Sequence, residues 1–331
     1  MPRFTRASLA FAFAVAVPAS DAAAGECAIA AFVPAGVVAA SAQGATGDSA
    51  RASLEEAASL LAQGRIDRAL ALLKPLTTQA TLSGGDRALA QSMLAVARSA
   101  GGAIGESARI ARDAMEAARA QGHSRVRAAV ATNAALAITE AGDTRAARAA
   151  LQSAATDAAS AGDGSLEAIA LVDLALLESR AGGDVMGTAS RARRAVEALA
   201  RPAERAPLLA SLGLALLPET TSATADARDV FAAEVLSQSY RDASEAKRAR
   251  DMATALGLAG ELRLRRGQPV AAIAALERAL ALSEAAGDDP WRYRWRWRLG
   301  ASRLATGDRE GARRELTQAV ADLDAAKATR A

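Results

Sequence analysis

Residues 135–151 read Ala-Leu-Ala-Ile-Thr-Glu-Ala-Gly-Asp-Thr-Arg-Ala-Ala-Arg-Ala-Ala-Leu. Gly142 ends one helix, because glycine adopts the positive φ of a helix C-cap without steric cost, and Asp143 supplies the N-cap of the next. Small residues flank the turn on both sides: Ala135 seven positions before the glycine and Ala147 five after it. Leu151, nine after the glycine, lies four residues beyond Ala147, so the two share one helical face. Small residues on both helices let them approach closely, and the leucine is expected to fill the groove between hairpins. The stretch specifies a tight helical hairpin.

The same arrangement recurs along the chain. Gly64, Gly267 and Gly307 have Ala57, Gly260 and Gly300 before them, Ala69, Ala272 and Ala312 five residues after, and Leu73, Leu276 and Leu316 nine after. Turn glycines also stand at 101 or 102 and at 182 or 183. Gly102, Gly142 and Gly182 are spaced by 40 residues, as are Gly267 and Gly307, while Gly183 and Gly267 are 84 apart, two periods. A degenerate repeat over 204–245 therefore fills the gap, with its turn at Pro218 to Thr224, where Pro-Glu-Thr-Thr-Ser breaks the helical pattern. The period predicts an all-α fold: an α-solenoid of about seven helical hairpins over residues 50–331, with the first helix of each hairpin on the inner surface.

Composition agrees. Alanine dominates and aromatics make up only 3% of the residues, which excludes a strand-rich core. The 40 basic and 37 acidic residues give a net charge of +3 and are interspersed, the pattern of solvated helix faces and not of a nucleic-acid footprint. A pI near 9.5 reflects the preponderance of Arg among the bases. One Cys and one His exclude an internal disulfide and the usual zinc sets, and no cofactor is implied.

Seven such motifs in register, with Ala-Gly-Asp at 141–143 and 286–288 and Thr-Gly-Asp at 306–308, resemble tetratricopeptide repeats in a variety longer than the usual period of about 34 residues. The resemblance covers most of the chain and implies a right-handed superhelix that binds a protein or peptide on its concave face. The C-terminal segment, with Leu256-Gly257-Leu258-Ala259-Gly260-Glu261-Leu262, then Ala272 to Leu282, then Tyr293 to Gly300, looks like the repeats just upstream of the caspase-like domain in bacterial CHAT-domain proteins. The chain stops at Ala331, where that domain would begin. Caspase-like hydrolysis needs a thiolate activated by an imidazole. Cys27 and His123 lie nearly a hundred residues apart, so the resemblance does not carry peptidase activity over. It implies instead a scaffold, or the sensor half of a system whose peptidase is a separate partner.

Arg3 and Arg6 precede an apolar run from Ala7 to Pro18, followed by small residues at 22–24. These are the parts of a secretory signal, residues 1–24, and predict a periplasmic or secreted bacterial protein. A second small-x-small site at 40–42 permits later cleavage, and residues 25–49 read as an Ala-rich linker. Glu26 and Pro34 interrupt the combined apolar run, so no stable membrane span is expected. Glu26 before Cys27 departs from the lipidation pattern.

Among candidate sites, His123 reads as a turn residue capping the next helix. Gly101-Gly102-Ala103-Ile104-Gly105 lacks the Lys-Ser/Thr and preceding strand of a phosphate loop. The stripe Trp291-Arg292-Tyr293-Arg294-Trp295-Arg296-Trp297-Arg298 falls on the first helix of the last hairpin. There Trp291 with Trp295, and Tyr293 with Trp297, are spaced to stack, with guanidiniums over the rings. It reads either as a cap over the end of the stack or as a surface for a peptide or an acidic partner. Along the inner surface, polar residues in register are the partner-binding candidates: Asn133 and Asp173, forty residues apart, Glu261 and Arg265 in the next-to-last hairpin, and Arg294 and Trp297 in the last. The tetratricopeptide resemblance favours Asn133, since an Asn in the middle of the first helix commonly contacts bound peptide in that family.

Overall fold

The computed structural model describes residues 48–120, 123–217, 227–287 and 291–328. Among them are fourteen α-helices and no strand, arranged as seven hairpins. The first pairs α1 (Asp48–Ala62) with α2 (Ile66–Thr78), the second α3 (Gly84–Ala100) with α4 (Ile104–Ala120), the third α5 (Ser124–Glu140) with α6 (Thr144–Ser160), and the fourth α7 (Gly164–Ala181) with α8 (Val185–Glu197). The fifth pairs α9 (Pro202–Ala215) with α10 (Ala227–Glu245), the sixth α11 (Ala249–Arg265) with α12 (Pro269–Ala286), and the seventh α13 (Arg292–Ala305) with α14 (Arg309–Ala328). The degenerate repeat is thus present as α9 and α10, while its expected turn at 218–224 lies outside the described residues. So do the expected signal segment, both cleavage sites and Cys27.

Turn chemistry is as the sequence dictates. Gly64, Gly102, Gly142, Gly182, Gly267 and Gly307 all take positive φ. Asp143 accepts a hydrogen bond from Ala146 N–H, and Asp163, Asp184 and Asp308 do likewise for Leu166, Gly187 and Gly311. The Gly311 N–H, and after it the Arg303 guanidinium, hold the Asp308 carboxyl below the ordinary carboxylate range. His123 occupies the N-cap of α5, but its imidazole makes no capping bond. Only its carbonyl joins the helix, accepting from Arg127 N–H. The glycine run at 101–105 joins two helices, as a hairpin turn and not as a strand-to-helix loop.

Packing inside each hairpin rests on the small residues. Ala57, Ala69, Ala147 and Ala272 are fully buried. At Gly260 an added Cβ would lie 2.7 Å from Leu276 Cγ, and at Gly300 2.8 Å from Leu316 Cγ. The leucine therefore seats on the glycine of its own hairpin partner; it seals the hairpin, whereas the spacing alone suggested a groove between hairpins. Each first helix also packs on the first helices of neighbouring hairpins, and no comparable packing joins the second helices to one another. First helices thus form the tighter, inner layer and second helices the splayed, outer one. Ion pairs join the two helices of one hairpin, Arg127 to Asp157 at 2.5 Å and Arg205 to Asp242 at 2.8 Å, and cross from hairpin to hairpin, Arg148 to Glu178 and Arg193 to Glu234, both at 2.8 Å.

Candidate functional site

The inner layer is more apolar than its polar candidates suggested. Residues 126–140 of α5, 166–179 of α7 and 202–217 of α9 with its C-terminal turn include no exposed position. Half-buried side chains mark where this layer meets solvent. They form a strip of Leu136, Leu176 and Leu214, in one register on three consecutive first helices, with Trp297 one turn earlier on the same face of α13. Each of the three leucines packs on the core below it.

The six predicted residues fall into separate places. Asn133 is only 1% exposed and lies in the α3–α5 contact, where its Nδ2 donates to Ser92 Oγ at 3.2 Å. It is part of the wall and not of the surface. Asp173 is half-buried on α7, and its Oδ2 is shut off from solvent with no hydrogen-bond donor. Burial pushes the Asp173 carboxyl up to about 7, against a lowering influence from Arg180 one helical face away.

Glu261, Arg265 and Arg294 do come together. Glu261 is fully buried, and its Oε1 accepts from Arg265 Nη2 and Arg298 Nη2, both at 2.6 Å. Its Oε2 accepts from Arg294 Nη2 at 2.9 Å and Arg294 Nε at 3.1 Å. Burial alone would raise the carboxyl, but Arg294, Arg298 and Arg265 together outweigh it and hold Glu261 well below the usual carboxylate range. The carboxylate has spent its lone pairs on four donors. Arg298, which the sequence reading did not single out, pays for this sharing: burial lowers its guanidinium pKa, and the two neighbouring arginines oppose the help it gets from Glu261. Its signal was the four-residue spacing from Arg294. The Arg298 guanidinium lies 4.3 Å over the Trp297 ring, and Arg294 lies 5.1 Å over Trp291.

The aromatic stripe is neither an end cap nor an open surface as a whole. Trp291 and Trp295 stack, with centroids 5.6 Å apart and planes 16° from parallel. Trp295 is fully buried between the last two hairpins, against Gly257, where an added Cβ would meet the indole at 2.4 Å. Only Trp297 of the three faces the inner strip. Among the described residues no cluster of three or more Cys, His, Asp or Glu side chains is placed to hold a metal ion.

No protein-family model and no curated protein sequence matches the chain. Solved structures do. A signal transduction ATPase with numerous domains and a tetratricopeptide repeat sensor, from Pyrococcus horikoshii, aligns over 83% of this chain with a TM-score of 0.58 and 13% identity. The fold is a tetratricopeptide-like solenoid. This solenoid spans 42% of the length of that ATPase. The apo form of RapI aligns over 84% of the solenoid and 77% of its own chain, again with a TM-score of 0.58, at 11% identity. Both likenesses are likenesses of fold. No helix among the described residues of the solenoid is long and apolar enough to cross a membrane.

Proposed function

We propose that this protein is a non-catalytic scaffold that binds a segment of a partner protein along the inner face of its superhelix. The observation that carries the reading is the strip of Leu136, Leu176 and Leu214, apolar side chains left half-covered in register on three successive first helices. Repeat solenoids present their extended concave surfaces to partners in this way. Toward the C-terminal end of the inner face, Arg265 and Arg298 beside Trp297 favour acidic side chains. Catalysis finds no support in a chain with one Cys and one His.

Site-directed photo-crosslinking in the producing cell tests this. A photoreactive residue at position 214, on the strip, is expected to capture a defined partner; the same residue at position 270, which is 73% exposed on the outer layer, is not. Adducts of equal yield from both positions, or none from 214, sink the reading.

The scaffold acts after export. Residues 1–24 carry the charged, apolar and small-residue segments of a secretory signal. Cell fractionation with N-terminal sequencing is expected to find a shortened chain outside the cytoplasm; a full-length cytoplasmic product overturns it. A second reading, that the partner is a separately encoded caspase-like peptidase of the CHAT type, rests on the resemblance of residues 250–300. The identity of the chain captured at position 214 decides it.

A further inference from the structure

The middle of the inner face holds a carboxyl oxygen, Asp173 Oδ2, that accepts no hydrogen bond. On α5, α7 and α9 the row Asn133, Asp173 and Ser211 runs one turn away from the row Leu136, Leu176 and Leu214. Two acceptors in the first row lack donors: Asn133 Oδ1, fully buried, and Asp173 Oδ2. The hydroxyls nearby in sequence register are already committed to their own helices, Thr132 to Ala128 O at 2.9 Å and Ser211 to Pro207 O at 2.8 Å. Buried polar atoms are usually paired. The donor that best suits a carboxylate is a cationic one.

We infer that Asp173 is the seat of a basic side chain, lysine or arginine, from the bound partner segment. The inference rests on the scaffold reading above and adds the chemistry of the partner. A long basic side chain fits both features at once: its methylene stem lies along Leu136 and Leu176, and its charged head reaches the carboxylate. The pairing also relieves the cost that burial imposes on the ionised carboxylate, since an opposite charge favours the ionised form.

The assignment has a spatial consequence. Asp173, on the fourth hairpin, lies three hairpins before Arg298, on the seventh. At about 9 Å between neighbouring first helices the separation is about 27 Å. An extended chain covers that in about eight residues at about 3.3 Å each. The partner segment therefore places a basic residue about eight residues from an acidic one, with apolar residues between.

The test uses the full chain and a fluorescein-labelled peptide. The peptide carries one lysine, three leucines at alternate positions after it, and two glutamates eight and nine residues beyond the lysine. A second peptide has norleucine in place of lysine, which keeps the stem and removes the charge. Binding is measured by fluorescence anisotropy against wild type, Asp173→Asn and Leu214→Glu. We expect Asp173→Asn to weaken the lysine peptide about tenfold and to leave the norleucine peptide unchanged. Equal weakening of both peptides, no change for either, or no binding of the lysine peptide up to about 1 mM overturns the assignment. A peptide pair that binds wild type equally, yet is lost in Leu214→Glu, removes the basic side chain from Asp173 and leaves the scaffold reading standing. Thermal melts of Asp173→Asn accompany the titrations; a variant that fails to fold is replaced by Asp173→Ser, for which the same outcomes hold.

Discussion

The third and fourth hairpins and the sixth and seventh solve one packing problem in two ways. In α5 to α8 small residues meet small residues: Ala135, Ala147, Ala168 and Ala189 are buried, and α5 meets α3 of the preceding hairpin through the buried Asn133–Ser92 bond. In α11 to α14 glycines open slots that large side chains enter, Trp295 at Gly257, Leu276 at Gly260 and Leu316 at Gly300, and a buried carboxylate ties three arginines together. Small-on-small contact buries little area but tolerates adjustment. Large-into-glycine contact buries more and has one solution, so the same repeat becomes less forgiving toward the C-terminal end.

The largest effect expected from this contrast is at Glu261. Glu261→Gln leaves three guanidiniums around a neutral amide in a buried site, and it should cost about 3–5 kcal/mol in urea or thermal unfolding. Its counterpart in the middle of the array, Asn133→Ala, should cost about 1 kcal/mol, because Ser92 keeps its bond to Leu89 O. Comparable losses at the two positions would break the comparison. Next comes Gly257→Ala, which drives a methyl into the Trp295 ring and should cost about 2–3 kcal/mol. Gly105→Ala on α4 meets nothing within 4 Å and should instead gain about 0.5 kcal/mol from helix propensity.

The hairpins were legible because a turn glycine, its flanking small residues and a leucine nine positions on are all local requirements. Even the degenerate repeat followed from arithmetic on the spacing of Gly183 and Gly267. Facing was harder to read. Asn133 and Asp173 share a register and a polar character, so both look like surface residues, but a 3.6-residue period cannot distinguish the inner wall from the inner surface when nearly every residue around them is alanine or leucine. The strip from Leu136 to Leu214 was hidden for the same reason: leucines of the core and of the inner face recur with one period. Arg298 escaped because its partner Glu261 is 37 residues away, and its four-residue spacing from Arg294 is matched by that of Arg296 from Arg292. Trp295 was misplaced because its slot is made by an absence, the missing side chain of Gly257.

A middle-sized effect is predicted at Asp173. Its carboxyl is raised in the fold to about 7 by burial and sits near its ordinary value in the unfolded chain, so between those two values the folded protein binds the additional proton. Stability should therefore be highest below about pH 4 as far as this group is concerned, and fall as pH rises toward 7. Asp173→Asn should remove that slope and stabilise the chain at pH 8 by about 1–2 kcal/mol, less than full burial would give because the residue is only half-covered. Unfolding measured at pH 5 and pH 8 for both chains checks it; parallel curves for wild type and variant would mean that the carboxylate has found a partner in solution.

The smallest effect lies between the two regions. In the turns that link hairpins, Gly162 and Gly287 take φ of 67° and 84°, and in the corresponding turn before α11 the residue is Lys247, with φ of 56°. The backbone bonds are the same in kind: Asp163 N–H donates to Ala158 O at 3.0 Å, and Arg248 N–H to Ala243 O at 2.9 Å. Lys247 thus adopts the glycine conformation while carrying a Cβ, which costs about 1–2 kcal/mol, against a gain of about 0.5–1 kcal/mol from the smaller freedom of a non-glycine residue when unfolded. Lys247→Gly should on balance stabilise the chain by about 0.5 kcal/mol, and Gly162→Ala should destabilise it by about 1 kcal/mol. Chemical denaturation resolves both if the pair is measured together. A loss of stability in Lys247→Gly would mean that the lysine side chain, and not only the turn, holds the sixth hairpin to the fifth.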